Sequence, residues 1–168
     1  MKFVMVIFAV GLISSCATRV DSSVYSSACG LYLPSYPVKG DIELVSFGNK
    51  ARLQTFYDSD GDVLTNSFEK IADKTIGLIN ASYGSNSMRY GEKKRIDIQI
   101  SYLEFYKVGS EYAINYQVYF KLNNGRPIGY SSYSLDQKYT LNNLFENAYC
   151  LMAKDFISNK SVSDFVSR

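Results

Sequence analysis

"RIDIQISYLEFYKVGSEYAINYQVYFKLNNG", residues 95–125, is the stretch on which the fold turns. In its first half Ile96, Ile98, Ile100 and Tyr102 alternate with Asp97, Gln99 and Ser101. In its second half Tyr112, Ile114, Tyr116, Val118, Phe120 and Leu122 alternate with Ala113, Asn115, Gln117, Tyr119 and Lys121. Side chains of a strand point to opposite faces in turn, so a period of two predicts two strands with one face buried and one wet. Gly109-Ser110 supplies the turn between them, and Asn123-Asn124-Gly125 supplies the next one. Residues 128–135 then read as a weaker strand whose serines, Ser131, Ser132 and Ser134, suit an edge.

Outward from this meander the period changes. Leu141, Leu144, Phe145, Ala148, Leu151, Met152 and Phe156 recur at helical spacing, with Thr140 placed to cap them. Residues 161–168 are expected to fray. On the other side Leu64, Phe68, Ile71, Ala72, Thr75 and Ile79 mark the apolar face of a first helix. Asn66 with Glu69 three residues on resembles a capping box, and the Gly/Ser/Asn-rich residues 80–87 predict the helix end. Residues 41–47 have the length and apolar content of a strand, while Pro34 and Pro37 predict extended, irregular chain over 31–39. The order β-α-β-β-β-α predicts an α+β fold, an antiparallel sheet of about four strands with two helices packed on one face.

The N-terminus is an address. Lys2 precedes an apolar run, residues 3–13, of about 11 residues, too short for a spanning helix of about 20. Ile13-Ser14-Ser15-Cys16 has the form of a lipobox: a branched residue, two small ones that pass a narrow protease cleft, and a thiol that accepts the lipid. The reading is a signal peptide over 1–15, a lipidated Cys16 and flexible tether over 16–30, and one periplasmic domain over 31–168. Ala17, where an aspartate would mark retention, resembles the sorting signal of Gram-negative lipoproteins sent to the outer membrane. With Cys16 taken by lipid, Cys29 and Cys150 are left as a candidate disulfide in an oxidising compartment, against the alternative of two unrelated thiols.

Composition narrows the chemistry. A net charge of +2 with no long run of either sign speaks against a nucleic-acid surface. The chain has no histidine, which removes the commonest general base and zinc ligand. No Gly-x-Ser-x-Gly elbow and no phosphate-loop glycine spacing occur either, so no enzymatic activity is expected. One stretch imitates a metal site. Asp58, Asp60, Asp62 and Glu69 occupy positions one, three, five and twelve of a calcium loop. Val63, however, stands at position six, where the sharp turn wants a positive φ that a β-branched residue resists. The simpler reading is an acidic connection launching the first helix, so no cofactor is expected beyond the lipid.

Fifteen tyrosines and no tryptophan are the compositional oddity. Most suit core and rim packing of strands. The second sheet face, with Gln99, Ser101, Asn115, Gln117 and Tyr119, is the candidate surface for an envelope protein partner, since tyrosine offers apolar area and a hydrogen-bonding tip.

The lipobox followed by β-α-β-β-β-α resembles small envelope lipoproteins that assist lipid traffic. Among these are the lipopolysaccharide-assembly lipoprotein that plugs an outer-membrane barrel and the auxiliary lipoproteins of lipid-transporting ABC systems. The first of these often carries a Cys-Gly pair at its lipidation site; here that pair is Cys29-Gly30, downstream of the lipobox. The resemblance implies a non-catalytic accessory subunit of an envelope assembly or transport complex. Two alternatives stay open: an immunity or enzyme-inhibitor lipoprotein using the same sheet surface, and a calcium-dependent module.

Overall fold

A computed structural model describes residues 22–26, 29, 31–35, 38–48, 53–57, 63–84, 87–88 and 92–168. In chain order these form β1 (Ser22–Ser26), β2 (Leu31–Ser35), β3 (Val38–Lys39), β4 (Ile42–Ser46), β5 (Leu53–Tyr57), β6 (Val63–Ser67) and α1 (Phe68–Gly84). There follow β7 (Ser87–Met88), β8 (Lys94–Val108), β9 (Glu111–Leu122), β10 (Ile128–Asp136), a 3-10 turn (Leu141–Asn143), α2 (Leu144–Ser158) and α3 (Lys160–Ser167).

The fold is α+β, built on a four-stranded sheet ordered β10-β9-β8-β4. β8, β9 and β10 are antiparallel as the alternation predicts, and the serine-rich β10 takes the edge. The turns follow from backbone chemistry. Gly109 has φ of 64° and opens a two-residue turn between Val108 and Glu111, the position where a II′ hairpin asks for glycine. Asn123 and Asn124 both lie in the left-handed region, at 46° and 60°, and Gly125 N–H closes the turn on Leu122 O at 2.8 Å, the pattern of a I′ turn. Asn123 also accepts the Arg95 N–H through Oδ1 at 2.8 Å, tying this turn to the start of β8.

β4 departs from the purely antiparallel expectation. It pairs parallel to β8, Leu44 opposite Ile96, so the sheet is mixed. A parallel neighbour needs a crossover, and the chain between β4 and β8 makes one through the β5–β6 hairpin and α1.

α1 and α2 lie on one face. Ile96, Ile98, Ile100, Ile114, Tyr116, Val118 and Phe120 from the sheet meet Phe68, Ile71 and Ile79 of α1 and Leu144, Met152 and Phe156 of α2 in one core. The start of α1 differs from the expected capping box. Leu64, Thr65 and Asn66 belong to β6, paired with Phe56, Thr55 and Gln54. The cap is Ser67, whose Oγ accepts the Lys70 N–H at 3.1 Å. α1 also continues past Asn80 to bury Ser82 and Tyr83, because that apolar contact outweighs the loop-like composition. The residues expected to fray form α3 instead. Asn159 caps it by accepting the Ser161 N–H at 3.0 Å, and Val162 and Val166 are fully buried.

The N-terminal part is more regular than a tether or irregular chain. β1 and β2 pair as a hairpin from Ser22↔Ser35 to Ser26↔Leu31, and β3 pairs parallel to β7. Cys29, at the turn of the first hairpin, is disulfide-bonded to the buried Cys150 of α2, with Cα atoms 5.6 Å apart. A two-stranded hairpin is marginal alone, so the bridge and the contact with α2 hold it to the domain.

Two tyrosines fasten sheet to helix with their tips. Tyr116 donates to Asp155 Oδ2 at 2.6 Å and Tyr130 donates to Met152 O at 3.0 Å, both on α2. Burial, and after it the Asp155 carboxylate, holds the Tyr116 phenol far above its ordinary range; burial raises Tyr130 likewise. A raised phenol stabilises fully below the unfolded value of about 10, and that stability declines as the pH rises beyond it. Tyr116→Phe is expected to cost about 1–3 kcal/mol at neutral pH, by leaving Asp155 without its donor. It is also expected to flatten the alkaline decline, and urea midpoints measured between pH 8 and 11 check both.

Candidate functional site

The sheet's other face is built in rows across three strands. Gln99 of β8 lies opposite Tyr119 of β9, which lies opposite Gly129 of β10. The following rows are Tyr102–Gln117–Ser131, Glu104–Asn115–Tyr133 and Tyr106–Ala113–Leu135. The five residues expected to form a partner surface are therefore brought together: Gln99, Asn115, Gln117 and Tyr119 share this face, and Ser101 bonds to Gln117.

Their contacts divide the face into two zones. In the first, the Ser101 hydroxyl donates to Gln117 O at 3.2 Å and lies 3.1 Å from Gln117 Oε1. Tyr119 lies across Gly129, where a Cβ would meet its ring at 2.6 Å. Beyond Tyr119, Lys121 places its ammonium 4.9 Å over the Phe47 ring, and Arg95 Nε donates to the buried Asp97 carboxylate at 2.8 Å. This end is polar, with Ser101 paired to Gln117 and Arg95 to Asp97.

The second zone is aromatic and open. Tyr133 is 53% exposed, Val108 45%, Tyr102 40% and Leu135 39%, large apolar side chains gathered towards the β8–β9 turn. Tyr106 and Tyr133 stack with ring centres 6.0 Å apart. The Tyr102 hydroxyl donates to Glu104, whose carboxylate raises the phenol; desolvation raises Tyr106. An exposed apolar cluster rimmed by polar groups is the make-up of a protein contact surface.

Tyr102, Tyr106, Val108, Tyr133 and Leu135 are absent from the surface read in the sequence, and for the three on β8 a β-bulge explains why. Strict alternation sends Tyr102 to the core with Ile100. In the structure Ser101 is the extra residue: Ile100 pairs with Val118 and Tyr102 with Gln117. The phase slips by one, so Leu103 and Phe105 turn inward and Tyr102, Tyr106 and Val108 outward. The signal is present in the chain, since the apolar positions 96, 98 and 100 are followed by 103 and 105.

The other expected sites fare differently. Cys16 lies outside the described residues. So do Asp58, Asp60 and Asp62, in the connection between β5 and β6. Glu69 is exposed in the first turn of α1, and Val63 is extended, opposite Tyr57, rather than at a sharp turn. Among the described residues no group of three or more His, Cys, Asp or Glu side chains is placed to hold a metal ion. Among them, too, no helix is long and apolar enough to cross a membrane.

No family model matches the chain, and no curated protein matches it. Among solved structures, the chain is similar to the crystal structure of protein XCC0632 from Xanthomonas campestris, under the family model DUF330. The similarity has a TM-score of 0.41 and 10% identity, over 80% of this chain and 90% of that one. A likeness at this level carries no functional argument.

Proposed function

We propose that the chain is a non-catalytic lipoprotein of the cell envelope, anchored to the outer membrane through Cys16, whose open sheet face docks a partner protein in an assembly or transport complex. The Cys29–Cys150 disulfide carries this reading. Disulfides persist in oxidising compartments, which fits export past the inner membrane. The bridge also uses two of the chain's three cysteines and leaves Cys16, within the lipobox, as the remaining thiol. The aromatic zone of Tyr102, Tyr106, Tyr133 and Leu135 supports a protein partner, because exposed tyrosine provides area with little entropy to lose. A lipid anchor would hold that face at high local concentration near its partner.

Cys16→Ala is expected to abolish labelling by radioactive palmitate and to move the protein from the membrane to the soluble fraction. A variant that remains labelled and membrane-bound refutes the anchor. For the partner, a photo-crosslinking amino acid at Tyr133 is expected to capture a specific envelope protein in intact cells. The same group at the exposed Lys154 of α2 is expected not to; equal capture at both positions refutes docking through the sheet.

A further inference from the structure

At the far end of the sheet from the aromatic zone, a cavity of about 620 Å³ opens between the start of β8, the end of β9 and α3. Lys94 lines it with only 9% of its surface exposed. Its ammonium donates to Val166 O at 3.2 Å and sits 5.8 Å over the Phe165 ring. The first contact satisfies a carbonyl in the last turn of α3, which accounts for one of three N–H donors. Val166 O is the acceptor found for that ammonium among the described residues, and its other N–H donors are left to the cavity it lines.

Two more cations line the same cavity, Lys39 of β3 and Arg168 beyond α3. The carboxylates there are Glu92 and Asp164, and Asp164 already lies 3.9 Å from Lys160. Burial and then the Lys39 charge both depress the Lys94 ammonium, opposed in part by Glu92. Two like charges so placed gain from an anion set between them. Apolar walls come from Phe165 and Leu122. The volume is that of a small-molecule site rather than of a single ion.

We propose that this cavity binds a phosphoryl group carried on a small organic molecule, with the phosphoryl oxygens on Lys39 and Lys94 and the organic part against Phe165 and Leu122. A phosphoryl group concentrates its charge on several oxygens at one point, which suits two ammonium groups lining one cavity. The site lies apart from the sheet face, and it stands whether or not the anchor and the docking surface do.

Isothermal titration of the purified full-length protein tests it with two probes, inorganic phosphate and a dihexanoyl phosphatidylglycerol kept below its micelle concentration. Similar affinity for both refutes the contact of an organic part with Phe165 and Leu122 and leaves a site for bare phosphate alone. Preference for the short-chain lipid by tenfold or more assigns it to phospholipid headgroups. In either case Lys94→Met is expected to weaken binding about tenfold or more, and Lys39→Gln somewhat less, as expected for lost charge-assisted hydrogen bonds. Lys154→Gln, the same charge change on exposed α2, is expected to leave it unchanged. Lys39 is exposed, so its variant keeps the test decisive even where Lys94→Met fails to fold. No heat from either probe at millimolar concentration overturns the proposal, as does binding that survives Lys39→Gln undiminished.

Discussion

Reducing the Cys29–Cys150 bridge is expected to remove about 5 kcal/mol of stability. The two cysteines are 121 residues apart, so the bridge closes a loop of most of the chain and withholds that much freedom from the unfolded state. Loop-closure entropy grows only logarithmically, but at this length it has already reached the upper range for a disulfide. The replacement Cys29→Ala with Cys150→Ala is the suitable variant. Cys150 is 2% exposed, and a serine there would bury a hydroxyl. The melting temperature is expected to fall by about 10–20 °C in the variant. A reducing agent should lower the wild type to the same value and leave the variant where it is. A wild-type melt that reductant shifts by less than about 2 °C contradicts the loop-entropy account.

Phe120→Ala is expected to follow, at about 3–5 kcal/mol. Phe120 is fully buried on the helix side of β9 and meets Phe156 of α2 edge to face at 5.4 Å, with the Tyr130 ring 6.3 Å away. Truncation loses both the transfer energy of the ring and the contacts of its neighbours, which a sheet pinned to α2 by Tyr116 and Tyr130 cannot restore by collapsing. Phe156→Ala empties the same space, so the double variant is expected to cost less than the two losses added together. Urea midpoints of the two single variants and the double variant measure this. Strict additivity would mean that the rings do not share one cavity.

The meander was the legible part of the fold, because alternation and turn chemistry are local. Ile96 to Ile100, Ile114 to Phe120, Gly109 and the Asn123-Asn124 pair each dictate their own backbone. α2 was legible for the same reason. What the sequence hid was non-local. The parallel pairing of β4 with β8 has no signature in residues 42–46, whose side chains are all half-buried. β6 carries Leu64 at a helical distance from Phe68, and only its partner β5 makes it a strand. Residues 161–168 were expected to fray, yet the two valines of α3 find the core. The candidate surface was legible as a polar face but not as an aromatic one. One bulged serine, Ser101, decides on which side three downstream residues stand.

The hairpin stapled to α2 also has a mechanical meaning. Tension applied to the chain ahead of Ser22 loads β1 first, and its short ladder to β2 can open one pair at a time at low force. The peeling stops at Cys29, where a covalent bond hands the load to the middle of α2, a helix that buries seven residues in the domain. The bridge thus acts as a shackle. It lets about five residues of strand pay out as a compliant leader while the domain behind it stays unstretched.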